Sequence, residues 1–152
     1  MANPDAVGTV GTPYEMDITR GKIREFARAT RSDNPDYLEG DNNVSPPTFL
    51  MNYMFWAFGD SNPWPKVELN QERGLHAEQE FTFHGEPPRA GTTLEATSRI
   101  DNMWTKQGRR GGEMTFVTMV TDFRDAEGNL VAEVKMTGVE TARPPAAEGE
   151  KA

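Results

Sequence analysis

Four stretches of two-residue alternation follow one another in the second half of this chain, and they constrain the fold more than any other feature. Leu75, Ala77, Gln79, Phe81 and Phe83 form the first stripe. Leu94, Ala96, Ser98 and Ile100 form the second, which continues to Trp104; Met114, Phe116, Thr118 and Val120 form the third. Leu130, Ala132, Val134 and Met136 form the last, running on to Val139. Alternation with period two sets one row of side chains on each face of a strand, so each stretch reads as a half-buried strand. The connection Gln107 to Gly112 holds three glycines, and Asp125-Ala126-Glu127-Gly128-Asn129 is a second turn-forming run. Links this short join neighbouring antiparallel strands.

An antiparallel sheet with one apolar face needs a cover, and the first half of the chain supplies it. Tyr14, Met16 and Ile18 alternate as a short strand. Thr19 then caps a helix on which Ile23, Phe26, Ala27 and Thr30 share a face at three- and four-residue spacing. Arg31 to Val44 is polar and holds Asn34-Pro35 and Gly40, so it is loop. Pro46-Pro47 opens a second helix, since proline fits a first helical turn. From Thr48 to Phe58 that helix is apolar nearly all round, and Gly59 ends it. The expectation is an α+β fold in which the sheet wraps the Pro47–Phe58 helix. Asn52 is then a buried, hydrogen-bonded polar group, and Phe55 is a core side chain.

The 152 residues suit one domain. Its expected limits are 11–141, with a mobile arm over 1–10 and a disordered Pro/Ala/Glu-rich tail over 142–152. A formal net charge of −8 argues against nucleic acid or an anionic membrane as partner. The absence of cysteine excludes disulfides and thiolate chemistry, and His76 and His84 are too few for a histidine metal cage. The two histidines share strand parity opposite the Phe81 stripe, which suggests a solvent face or an interface. No signal-peptide pattern and no membrane-length apolar run is read, so a cytoplasmic location is expected.

In order and spacing the chain resembles the MaoC-like, or (R)-specific enoyl-CoA hydratase, family of hotdog proteins. The residues that carry the likeness are the Ile18–Thr30 lead-in, the Pro46-Pro47-Thr48-Phe49 helix start and Pro87-Pro88-Arg89-Ala90-Gly91-Thr92-Thr93-Leu94. It covers roughly Val7 to Thr141. The nearest resemblance is to the N-terminal-type dehydratase domains and to the substrate-binding subunits of mycobacterial fatty-acid dehydratases. The resemblance implies a sheet around a central helix, pairing of sheets into dimers, a thioester carried on coenzyme A or phosphopantetheine, and no metal or redox cofactor.

Catalytic members of that family carry Gly-Asp-x-Asn-Pro-Leu-His. This chain has Arg31-Ser32-Asp33-Asn34-Pro35-Asp36-Tyr37. Aligned on Asn34 and Pro35, the catalytic aspartate position holds Ser32 and the histidine position holds Tyr37. Adding water to an enoyl thioester needs a base for the water, an acid for the α carbon and donors for the growing enolate. Tyrosine, with an ordinary pKa of about 10, is a poor base near neutrality. The resemblance therefore implies a subunit that shapes the acyl pocket while a second MaoC-like hotdog subunit supplies the Asp and His. Two alternatives stay open at this point. One is a catalytic homodimer using Asp33 with Tyr37 or with a histidine from another strand. The other is a non-enzymatic module that binds an acyl-CoA or another small ligand.

Two further groups are candidates for contact with substrate. Phe55, Trp56 and Phe58 are expected either in the core or along an acyl tunnel. Lys106, Arg109 and Arg110 form a small cationic cluster at a hairpin. They are either an ordinary polar turn or a clamp for the phosphates of the carrier.

Overall fold

In a computed structural model, which describes residues 2–108 and 112–142, the expected strands form one antiparallel sheet. The strands are β1 (Tyr14–Ile18), β2 (Gly74–Phe83), β3 (Thr92–Gln107), β4 (Glu113–Arg124) and β5 (Leu130–Glu140), arranged in the order β1-β3-β4-β5-β2. All four pairings are antiparallel, so β1 and β2 are the two edges. This is the α+β hotdog arrangement.

One face of the sheet is the core face. Leu94, Ala96, Ser98 and Ile100 of β3 align with Val117, Met119, Thr121 and Phe123 of β4 and with Ala132 and Val134 of β5, and all of them are buried. Met16 and Ile18 close the β1 side. The cover comes from α1 (Arg20–Ala29), which buries Ile23 and Ala27, and from a 3-10 helix over Phe49–Phe55 that buries Phe49, Leu50 and Tyr53. Phe26 meets Phe49 edge to face at 5.6 Å, and Tyr53 meets Phe123 at 6.2 Å, so the two helical pieces are keyed to each other and to the sheet. Trp64 lies against Gly138, where a Cβ would come within 2.8 Å of the indole; only glycine lets that ring approach the strand.

The structure corrects the expectation for the Pro47–Phe58 segment. It is not a long helix wrapped on most sides. The helical part runs over Phe49–Phe55 with 3-10 geometry, and Met54, Phe55 and Phe58 are 51%, 66% and 74% exposed. Phe55 is therefore not a core side chain. Asn52 is half-buried in the wall of a groove, not enclosed. The physical reason is that an all-apolar run has no polar face to mark its period, so composition alone does not say which side packs.

Two β-bulges also change the reading. In β2 the register shifts between His76 and Glu78, so Ala77 is an extra residue. Leu75 pairs with Val139 on the outer face, whereas Phe81 pairs with the core-facing Val134. The single expected stripe from Leu75 to Phe83 is thus split between the two faces. His76 aligns with Gly138 on the core-face side, while His84 reaches Glu133 at 2.9 Å on the outer face. The two histidines do not share a face. In β3 a shift between Ile100 and Asn102 sends Asn102, Trp104 and Lys106 to the outer face.

The segment expected as a mobile arm lies against the domain. Ala2 and Ala6 are buried, the Asn3 amide donates to Val67 at 2.7 Å, and residues 8–11 bond to Ile100 and Ser98 of β3. The arm extends the β1 edge. Of the expected tail, residues 143–152 lie outside the described residues.

Candidate functional site

The loop that aligns with the family's catalytic motif leaves α1 through Arg31, whose backbone is left-handed at φ 57°. The Ser32 amide then donates back to the Ala27 carbonyl at 2.8 Å, and Ser32 is half-buried. Asn34 caps a short helix, α2 (Pro35–Leu38), by accepting from the Asp36 amide at 3.0 Å. Pro35 fills its first position. So the Asn-Pro pair does structural work that needs those two residue types, whatever flanks them.

A second tie comes from Asn43, which is fully buried. Its Nδ2 donates to the carbonyls of Asp36 and Glu39, which anchors both ends of α2. Its own carbonyl accepts from the Ala90 amide at 2.8 Å, and the Ser45 amide donates to Pro88 at 2.9 Å. Gly91 in turn donates to Ile18 at 2.8 Å. The motif loop, the Pro87–Leu94 turn and β1 are one hydrogen-bonded unit. Asn43 escaped the reading of the sequence because a lone asparagine in a polar loop carries no periodic signal; its burial is the signal.

The motif loop carries no histidine. Ser32 has no acidic side chain, Asp33 is exposed, and Tyr37 packs its ring against the core. Neither histidine lines the cleft beside α2. β2 is the sheet edge opposite β1, and His84 is engaged with Glu133 on the outer face. Asp36, Glu39 and Asp41 with Arg89 line a cleft of about 570 Å³ beside α2; three carboxylates there, one of them paired with Arg20, suit neither a phosphate nor an acyl chain.

The groove with apolar character lies between α1 and the Phe49–Phe55 helix. It has a volume of about 450 Å³ and is lined by Phe26, Ala29, Phe55 and Trp56, with Asn52 on one wall and the Lys22–Glu25 pair at the rim. Of the three aromatic candidates, Phe55 and Trp56 line this groove and Phe58 does not. Beneath the same helix, Tyr53, Thr121, Ser98 and Tyr14 bring four hydroxyls together on the core face. Ser98 and Thr121 bond at 2.8 Å. The Tyr14 hydroxyl is enclosed next to Ser98 without closing a hydrogen bond of normal geometry. Burial raises the pKa of both tyrosines above the ordinary phenol value.

The cationic candidates sit elsewhere. Lys106 lies on the outer face, over the ring of Phe116 at 5.6 Å, where Phe116 stacks on Trp104. Arg109 and Arg110 fall outside the described residues. Within one chain the sheet therefore separates Lys106 from the Phe55 groove. Among the described residues no group of acidic, histidine or cysteine side chains is placed to hold a metal, and no helix is long and apolar enough to cross a membrane.

Comparison with known proteins gives these features a family. The FAS1-like dehydratase domain region matches residues 5–134. A UPF0336 protein of Streptomyces griseus is 30% identical over 123 residues, which is 76% of this chain and 78% of that protein. The structure is similar to the C-terminally truncated HadBC (3R-hydroxyacyl-ACP dehydratase) complex of Mycobacterium tuberculosis. The TM-score is 0.63 and the identity 24%, covering 89% of this chain and 97% of that one. It is also similar to the ChsH1–ChsH2 complex of the same organism, with a TM-score of 0.71 at 14% identity over 91% of this chain and 87% of that one. The fold and the motif loop define a hotdog domain of the dehydratase type. The chain belongs to the MaoC-like family of hotdog dehydratases and hydratases, within its FAS1-like dehydratase branch.

Proposed function

We propose that this chain is the pocket-shaping subunit of an (R)-type enoyl-thioester hydratase or dehydratase. In this reading a second MaoC-like chain supplies the catalytic Asp and His. The carrying observation is a loop whose scaffold is complete while its reacting side chains are not. The Asn34 cap, the Asn43 anchor and the tie to Gly91 are all present, yet Ser32 and Tyr37 stand at the acid-base positions. A loop retained for its shape and emptied of its chemistry fits a subunit that works beside an active one.

The chemistry divides accordingly. The partner's carboxylate and imidazole activate water and deliver the proton to the α carbon, or run the reverse for dehydration. This chain contributes an apolar wall from Phe26, Ala29, Phe55 and Trp56 for the acyl group, with Lys22 and Glu25 where the groove meets solvent. The substrate arrives as a thioester of coenzyme A or phosphopantetheine, with no metal or redox cofactor. Such a role belongs to fatty-acid or steroid side-chain metabolism in the cytoplasm. Asp33 is exposed and His84 is engaged by Glu133, which leaves a lone-chain mechanism without a ready acid-base pair.

The test is hydration of crotonyl-CoA and of longer enoyl-CoAs by the pure chain, with and without a MaoC-like chain of the same organism that carries the intact motif. The expected result is turnover only in the mixture. In that mixture Trp56→Ala raises KM for the longer substrates and leaves kcat on crotonyl-CoA near its starting value. Full activity of the lone chain, lost in Asp33→Asn, overturns the reading in favour of a catalytic homodimer. Thioester binding without turnover in every mixture favours a binding module.

A further inference from the structure

The groove between α1 and the Phe49–Phe55 helix has one wall that is not apolar. Phe26, Ala29, Phe55 and Trp56 are joined there by Asn52, which lies in the middle of the helix. Asn52 is half-buried, and among the described residues no hydrogen bond engages its side chain. The free polar atoms of Tyr14, Asn43 and Ser45 are sealed from solvent; the amide of Asn52 is still open to the groove.

Other asparagines of the chain show what this residue type does for its own backbone. Asn34, Asn62 and Asn70 each accept from the amide two residues on, and Asn43 donates to two carbonyls. Asn52 does neither. In a helical segment asparagine is a poorer former than the methionine and leucine that precede it, so local structure gains nothing from it. Packing does not use it either, because Phe49, Leu50 and Tyr53 carry the burial of this helix.

Water satisfies the amide while the groove is open. A bound acyl chain displaces that water, and the result depends on what the chain presents. A plain aliphatic chain leaves a donor nitrogen and an acceptor oxygen without partners between aromatic walls, which is unfavourable. A hydroxyl repairs both losses: its oxygen accepts from the Nδ2 amide and its proton goes to Oδ1. A ketone or a carboxylate only accepts, and so leaves Oδ1 bare. The hydroxyl that the reaction adds or removes stands at the partner's Asp and His in the reading above. The one that meets Asn52 is therefore a second hydroxyl, further along the chain.

We propose that Asn52 determines specificity: the groove selects enoyl thioesters whose acyl group carries an additional hydroxyl over plain aliphatic chains of the same length. This rests on the groove being the acyl wall and adds the class of acyl group it prefers. Phe55 and Trp56 set how much apolar chain is covered, and Asn52 sets where along it an oxygen must fall.

The test uses this chain mixed with the intact-motif MaoC-like chain. The substrates are dodecenoyl-CoA and hydroxydodecenoyl-CoAs with a single hydroxyl moved carbon by carbon along the chain. One position, or two adjacent ones, is expected to raise kcat/KM over the plain substrate by about tenfold, mainly through KM. Asn52→Leu removes that preference. Asn52→Gln, which keeps the amide on a longer arm, retains a preference for a hydroxyl at the same carbon or the next. A purely structural role for Asn52 would change stability and leave the ratio between substrates alone. If no hydroxyl position is preferred, or the preference survives Asn52→Leu, the proposal is overturned and the functional reading stands. An equal loss on every substrate in Asn52→Leu also overturns it, because the amide then serves the pantetheine arm or the reacting centre. If no mixture turns over any thioester, the functional reading fails, and calorimetry of this chain with dodecanoyl-CoA and its hydroxylated forms decides the role of Asn52 alone. A binding preference lost in Asn52→Leu upholds it; equal binding, or none, overturns it.

Discussion

The two halves of the segment from Thr48 to Phe58 are both rich in large apolar side chains, and those side chains meet different fates. Phe49, Leu50 and Tyr53 are sealed between α1 and the sheet, with Phe49 and Leu50 fully buried. Met54, Phe55 and Phe58 are at least half exposed. The exposed half is no less apolar than the buried one, so hydrophobicity did not decide the outcome. Position did: Phe49 packs on Phe26 and Tyr53 on Phe123, whereas Phe55, at the far end of the 3-10 helix, lies in the groove wall. The lesson is that an apolar run specifies that something must be covered, and geometry decides whether this chain or another molecule does the covering.

The contrast can be broken by mutation, beginning with the largest effect. Phe49→Ala empties a site packed against Phe26 and the sheet, and it should lower stability by about 3–5 kcal/mol in urea unfolding. A loss below about 1 kcal/mol would show the first half to be as dispensable as the second. Next comes Tyr53→Phe, which removes the hydroxyl beside Thr121 and should cost about 1 kcal/mol. This residue also sharpens the comparison through pH. Tyr14 and Tyr53 ionise less readily in the folded state than in the unfolded one. The unfolded chain therefore loses those protons first, and stability falls as pH rises above about 10. The alkaline loss, followed by far-ultraviolet circular dichroism, should be shallower in Tyr53→Phe. The smallest effect belongs to the exposed half. Phe55→Ala and Phe58→Ala should each change stability by no more than about 0.5 kcal/mol. Phe55→Ala alone should weaken use of long acyl substrates, because Phe55 lines the groove and Phe58 does not. Equal losses in both would mean that the groove is not the acyl site.

What the sequence disclosed follows the strength of its periodic signals. β3, β4 and β5 were legible because alternation continues over many residues, and the Asp125 turn because its chemistry is local. There Asp125 accepts from the amides of Glu127 and Asn129, and Gly128 takes φ 84°. The helix from Thr19 was legible from its cap and its amphipathic spacing. The motif loop was legible only as a likeness. That Asn34 caps α2 follows from its type, but Asn43, which bonds to carbonyls only four and seven residues back, is also tied through its backbone to Ala90 far along the chain, which no local pattern encodes. The candidate site divided for the same reason. Phe55 and Trp56 came together with Phe26 and Ala29 through packing of two helical segments. Lys106 went to the opposite face because one extra residue at the Ile100–Asn102 bulge reversed the parity of everything after it.

The bulge at Ala77 has a consequence for how relatives of this chain should be read. A strand normally has one grammar, odd positions inward and even positions outward or the reverse, from end to end. Here the grammar inverts at a single inserted residue, so Leu75 and Phe81 obey opposite rules although an even count of steps separates them. A homologue that lacks the insertion would keep every backbone pairing beyond it while exchanging the orientation of Leu75 and His76. Gapless alignment across Ala77 would then equate a side chain that looks toward Trp64 with one that looks away from it. When a relative is aligned to this chain, a one-residue gap at that point carries more structural information than the substitutions on either side.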